Sequence, residues 1–141
     1  MDYHTVIQHY LQALQDGNTK RIESLFEPES LVYSPFLGRV PVAEFFKRLA
    51  EASSRAIITH FDTFISTATS NRRAAAYFRY DWTLKDGTTT SFDCVDVFEF
   101  SDVEGREDKI LSLTIVYDTH PVRQQVGDKY NSSTISYNVK S

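Results

Sequence analysis

Apolar residues recur with a helical period over the first fifty positions and with a period of two thereafter. Tyr3, Val6, Ile7, Tyr10, Leu11 and Leu14 fall at the i, i+3, i+4, i+7 spacing that gathers them on one face of a helix. Gly17 supplies a helix stop, and Asn18 can cap a second short helix carrying Ile22, Leu25 and Phe26. Pro28 breaks that pattern. Leu31 to Ser34 then reads as a short strand closed by Pro35 and Gly38, and a third helix opens near Pro41 with Val42, Phe45, Phe46 and Leu49 on one face.

Beyond Ile57 the period is that of strands. Ile57 to Thr69 is rich in Ile, Thr and Phe, and Ser70-Asn71 offers a turn. Ala74 to Leu84 alternates into Asp86-Gly87, a hairpin signal, and Thr88 to Phe100 continues as its partner. Glu104-Gly105 turns the chain into a last strand, Ile110 to Asp118. Three helices ahead of a four-stranded antiparallel meander predict an α+β domain with the helices on one sheet face. The domain is expected over 1–121. The tail 122–141, rich in Ser, Thr, Tyr and Asn, is expected to be loose or to add an edge strand.

Length and composition fit this single unit. A chain of 141 residues and 16.2 kDa has the size of one domain. Eight Tyr, ten Phe and one Trp are a large aromatic volume for so short a chain, enough to fill a core or line a cavity. Fifteen Lys and Arg against nineteen Asp and Glu leave a net charge of −4, so the generic attraction to phosphate backbones or anionic lipid is missing. Neither nucleic acid nor a membrane is expected as a partner. No apolar run approaches the ~20 residues that span a bilayer, and Met1 to Gly17 has no basic n-region of a secretory signal. A soluble cytoplasmic protein is the expectation. One Cys among four dispersed His predicts neither an intrachain disulfide nor a metal site, and nothing in the chain calls for a cofactor.

The most informative single position is Asp96. Strict alternation puts Phe92, Cys94, Asp96, Phe98 and Phe100 on one strand face. Burial in such a row penalises the carboxylate and raises its pKa. Two readings follow: a protonated Asp that donates to a ligand oxygen, or an Asp satisfied by a backbone N–H or a Tyr hydroxyl. Tyr10 stands in the middle of the first helix's apolar stripe, where a phenol buries its ring and must find a partner for its hydroxyl.

Several local patterns carry a family resemblance. Ile7-Gln8-His9-Tyr10-Leu11-Gln12-Ala13-Leu14 followed by Asp16-Gly17-Asn18, then Ile22-Glu23-Ser24-Leu25-Phe26, and later Asp96-Val97-Phe98-Glu99-Phe100 with Lys109-Ile110 are similar to motifs of the nuclear transport factor 2-like superfamily. The SnoaL-like and ketosteroid isomerase branch fits best, over about Tyr3 to Asp118. The resemblance implies a cone-shaped curved antiparallel sheet with three N-terminal helices on its concave face, a pocket between them, and a homodimer formed through the open sheet face. It also implies a role for Tyr10 and Asp96, which fall where ketosteroid isomerases keep an oxyanion-binding Tyr and Asp.

The proton-moving group of that enzyme is absent. Ketosteroid isomerases have an Asp before a Pro on the short first strand, and here Ser34 precedes Pro35. A serine hydroxyl does not titrate near neutrality, which argues against that mechanism. Other candidates are His60 with Asp62, two residues apart on a strand, and Arg79-Tyr80-Asp81, which resembles part of the limonene epoxide hydrolase triad with Ile115 near the missing third acid. Solvated residues and an ion-pair ladder are the favoured roles for these. Asp118 falls off the apolar row of its strand and is expected outside the pocket, Cys94 is read as a packed hydrophobe, and Asn131-Ser132-Ser133 has the spelling of a glycosylation site.

The expected function is binding of a small apolar or aromatic ligand, with Tyr10 and Asp96 as catalytic candidates and Ser34, Phe46, Trp82, Phe98 and Leu113 as pocket residues. Isomerase, cyclase or dehydratase chemistry, a non-catalytic binding protein, and an assembly module with a closed cavity all stay open at this point.

Overall fold

A computed structural model describes residues 2–68 and 72–120. The elements in chain order are α1 (Tyr3–Asp16), α2 (Thr19–Ser24), β1 (Phe26–Ser34), β2 (Gly38–Pro41), α3 (Val42–Ala52), β3 (Ser53–Ile65), β4 (Arg73–Leu84), β5 (Thr89–Phe100) and β6 (Ile110–Tyr117). The helix boundaries have local causes. Asp2 caps α1 by accepting from the Thr5 N–H, and Gly17 closes it in the left-handed region at φ 68°. Asn18 caps α2 through the Arg21 N–H, and Pro41 stands immediately ahead of α3. The Ser70-Asn71 turn and the tail after Pro121, including Asn131, lie outside the described residues.

The α+β class and the three helices on one face of a curved open sheet are as expected. The expected four-stranded antiparallel meander is β3 to β6, and the sheet extends beyond it through β1 and β2 to six strands in the order β2-β1-β6-β5-β4-β3. The first strand is longer than Leu31–Ser34 because the chain passes through Pro28 in extended form, with a register shift between Phe26 and Leu31 and Glu29 at φ 64°. Gly38–Pro41 folds back onto it as a hairpin. β1 then joins β6 in a parallel pair, while every other neighbour pair is antiparallel.

Alternation along β4 and β5 decides what faces the helices. Ala74, Ala76, Phe78 and Tyr80 are buried from β4, and Cys94, Asp96, Phe98 and Phe100 from β5. The α1 stripe of Val6, Ile7, Tyr10, Leu11 and Leu14 packs onto them with Phe45 and Phe46 from α3. Aromatic rings fill one end of this layer. Tyr10 meets Phe98 edge-on at 5.1 Å and Phe46 at 6.1 Å, and Tyr3 stacks on Phe100 at 3.9 Å. That end is closed, so the free volume lies toward the other.

Candidate functional site

Between α3, the Ser34–Leu37 turn and the open end of the sheet lies a cavity of about 490 Å³. Its walls are almost wholly apolar: Phe45, Phe46, Leu49 and Ala52 from the α3 side, Phe78, Tyr80 and Trp82 from β4, Ile115 and Tyr117 from β6. Phe36 and Leu37 flank the mouth, and Arg48, paired with Glu44 one turn back on α3, brings a cation to the lining. Tyr10 and Asp96 form part of the lining at its buried side.

The register of the sheet explains which expected residues reach the cavity. Phe98 pairs with Leu113, Asp96 with Ile115 and Cys94 with Tyr117. Each step toward Tyr117 leads from the closed end to the open end. Phe98 and Leu113, both wholly buried, therefore belong to the packed core and not to the cavity wall. This corrects their assignment as pocket residues: alternation gives a residue's face, and only the pairing gives its depth. Ser34, Phe46 and Trp82 do line the cavity. Ser34 is turned toward its own loop, where its Oγ accepts from the Phe36 and Leu37 N–H groups at 3.3 Å each. The Trp82 indole N–H donates to Ser53 Oγ at 2.8 Å.

Asp96 is 2% exposed and receives two hydrogen bonds. The Tyr10 hydroxyl donates to Oδ2 at 3.3 Å, and the Cys94 thiol donates to Oδ1 at 3.2 Å. Burial pushes the Asp96 pKa up to about 7, with the Cys94 and Tyr10 bonds pulling against it. The same burial, reinforced by the Asp96 charge, raises Tyr10, Tyr80 and Cys94 well above their ordinary values. At neutral pH this cluster thus has one group that exchanges a proton, the carboxyl, among three neutral donors.

The remaining candidates are elsewhere. A register shift between His60 and Asp62 puts an extra residue, Phe61, into β3. His60 faces inward beside His4, and its Nε2 bonds to the Asp62 backbone carbonyl and to Thr63 Oγ1, so the two side chains form no acid–base pair. Neither lines the cavity. Arg79 pairs at 3.2 Å with Asp81 on its own strand, and Asp81 also accepts from Ser91, all on the outer face. Asp118 is exposed and accepts from the His120 N–H. Among the described residues no cluster of His, Cys, Asp and Glu has the arrangement of a metal site, and no helix is long and apolar enough to cross a membrane.

Several wall residues were not singled out from sequence. Leu49 belongs to the expected apolar face of α3 but not to the expected walls, and Ala52 continues that face at i+7 from Phe45, so helical spacing alone could have placed both. Phe36 and Leu37 carry no such signal, because a turn has no periodicity.

A SnoaL-like domain model matches residues 7–107, most of the chain. The chain belongs to the SnoaL-like family. Solved structures of similar fold extend the comparison. A protein with a ketosteroid isomerase-like fold from Catenulispora acidiphila, in complex with trimethylamine, is 12% identical over 85% of this chain and 90% of its own, at a TM-score of 0.70. A nuclear transport factor 2-like protein of unknown function from Burkholderia pseudomallei is 12% identical over 88% and 97%, at 0.69. TsrD from Streptomyces laurentii is 16% identical over 88% and 93%, at 0.66. Comparison with curated proteins gives no match. At these identities the likeness concerns the SnoaL-like fold, and the chemistry has to be argued from this chain's own cavity.

Proposed function

We propose that this SnoaL-like protein binds a small apolar or aromatic molecule in the cavity between α3 and the sheet, with the ligand's oxygen-bearing end toward Tyr10 and Asp96. The observation that carries this is an apolar cavity of about 490 Å³ whose lining includes a buried carboxyl. That volume falls in the ordinary range for small-molecule sites, about 300–1,000 Å³, and so does the pattern of aromatic walls with few polar groups. An assembly module with a filled core would offer neither.

The chemistry open to such a site is proton transfer at one carboxyl. A pKa of about 7 suits an acid or base working near neutrality, which supports isomerisation, cyclisation or dehydration as the reaction classes. The non-catalytic alternative is favoured by a different observation: among the described lining residues, Asp96 is the single carboxyl, and no His joins it. A second copy of the chain is proposed to cover the outer sheet face, where Phe64, Tyr77, Val95, Val97 and Val116 lie unburied or half-buried.

Occupancy is tested by NMR titration with 2-naphthol. Ligand in the cavity is expected to perturb Phe78, Trp82, Ile115 and Tyr117, and Ala52→Trp, at an exposed wall position, is expected to abolish the effect. Perturbations that survive that plug, or that map to the outer face, would defeat the reading.

A further inference from the structure

The lining of the cavity contains three buried polar side chains, Tyr10, Tyr80 and Asp96. Two of them are already committed to each other. The Tyr10 proton goes to Asp96 Oδ2, and the other carboxylate oxygen takes the Cys94 thiol. Tyr80 is different: it is 8% exposed, yet its hydroxyl makes no hydrogen bond to any described residue. A buried donor without a partner is destabilising unless something else accepts from it.

Its ring is also held in place. Tyr80 pairs with Phe92 across the β4–β5 ladder and stacks on it at 5.5 Å and 22°. Trp82 meets it edge-on at 6.1 Å, and the Trp82 N–H is itself anchored on Ser53. A fixed aromatic arm with an unused hydroxyl in a ligand-sized cavity has the form of a recognition group.

We propose that Tyr80 is the hydrogen-bond donor to the bound ligand, and that the cavity therefore selects apolar molecules bearing an acceptor oxygen, such as a ketone or ester carbonyl. The assignment rests on the binding reading above and sharpens it: Tyr10 orients Asp96, and Tyr80 addresses the ligand. Burial and the neighbouring Asp96 charge keep the Tyr80 phenol protonated, so it remains a donor at any physiological pH. Discrimination follows from the pairing logic. A carbonyl satisfies the hydroxyl, and an alkene of the same shape leaves it unpaired.

The test compares 2-acetylnaphthalene with 2-isopropenylnaphthalene, which replaces the carbonyl oxygen by a methylene. Binding is followed at pH 8, where Asp96 is mostly ionised, together with the infrared carbonyl stretch of the 13C-labelled ketone. The wild-type protein is expected to prefer the ketone by roughly tenfold, the size of one net hydrogen bond, and to lower its stretching frequency. In Tyr80→Phe the preference and the frequency shift are both expected to vanish, with alkene affinity retained. Tyr3→Phe, whose ring stacks on Phe100 away from the cavity, serves as the control and should behave as wild type. A ketone preference and a shifted stretch that persist in Tyr80→Phe would overturn the assignment. So would equal wild-type affinity for the two compounds, which leaves the binding reading standing. Failure of both compounds to bind the wild type would bring down the binding reading and the assignment with it.

Discussion

The Tyr10 hydroxyl on α1 reaches across 86 residues of sequence to donate to Asp96 Oδ2 on β5, tying the first helix to the centre of the sheet at 3.3 Å. The bond stands in a buried cluster where Tyr10, Tyr80 and Cys94 stay neutral near pH 7. The carboxyl is the member that titrates.

A pH dependence of stability follows from that titration. Asp96 rises from an ordinary 3.8 to about 7 on folding. The folded protein therefore holds a proton that the unfolded chain releases between about pH 4 and 7, and stability falls as pH rises through that window. The effect is on the order of 4 kcal/mol for a shift of this size. The facing groups Tyr10, Tyr80 and Cys94, all raised by burial, remain protonated throughout. Asp96→Asn removes the titration, so the variant should gain on the wild type as pH increases from 4 to 8. Urea melts at four pH values measure the difference, and parallel curves for the two proteins would refute the shift.

Removing either donor should move Asp96 further in the same direction. The Cys94 bond is the larger of the two that lower its pKa, with Tyr10 second. Tyr10→Phe and Cys94→Ala are each expected to raise the midpoint of the Asp96 carboxyl 13C titration, and each to cost roughly 1–3 kcal/mol at pH 8 by leaving a carboxylate oxygen short of a donor. An unchanged midpoint in both variants would mean the bonds do not form in solution.

Much of this arrangement was legible in the chain, and the exceptions have physical reasons. The α1 stripe, the Gly17 stop and the Asn18 cap are local, and local spacing is enough to read them. The same holds for the face of Asp96, because strand alternation is strict through β5. Tyr10 is marked by its place in the apolar stripe and its role by the family resemblance, and its contact with Asp96 is geometrically simple once helix and sheet pack. What failed was non-local. Pro28 reads as a breaker in isolation, yet β1 passes it through a bulge because a parallel partner, β6, is available far along the chain. The bulge at Phe61 that separates His60 from Asp62 has no glycine or proline to announce it. Phe98 and Leu113 show the third kind of limit, since pairing register sets depth along the cone.

Cys94 should be chemically silent in the native state. It is 3% exposed, donates to Asp96 Oδ1, and has its thiol pushed well above the usual range by burial and by the adjacent carboxylate. Reaction requires the thiolate. Alkylation by iodoacetamide at pH 8 should therefore proceed only through opening of the β5 region and accelerate steeply near the urea midpoint. Labelling of the folded protein at the rate of a free cysteine would show that this strand is not packed as described.

The outer face supplies the last expectation. Val95 and Val116 are cross-strand partners there, flanked by Tyr77 opposite Val95 on β4 and by Val97 further along β5. Phe64 extends the patch from β3, opposite Ala75. Val116 and Phe64 are each about half exposed in the single chain, at 52% and 53%. Two such faces packed together would remove apolar surface that an isolated monomer leaves in water, and a stable interface needs about 800 Å² from each partner. A lysine at the centre of that patch puts its charge against the same charge on the partner across a two-fold axis, which is costly in a buried setting. Val116→Lys is expected to convert a dimer to a monomer in light scattering while leaving the helical circular dichroism signal unchanged, since position 116 points away from the core. Wild-type protein that scatters as a monomer at 100 µM would refute the dimer, and a Val116→Lys variant that still scatters as a dimer would place the partner on another surface.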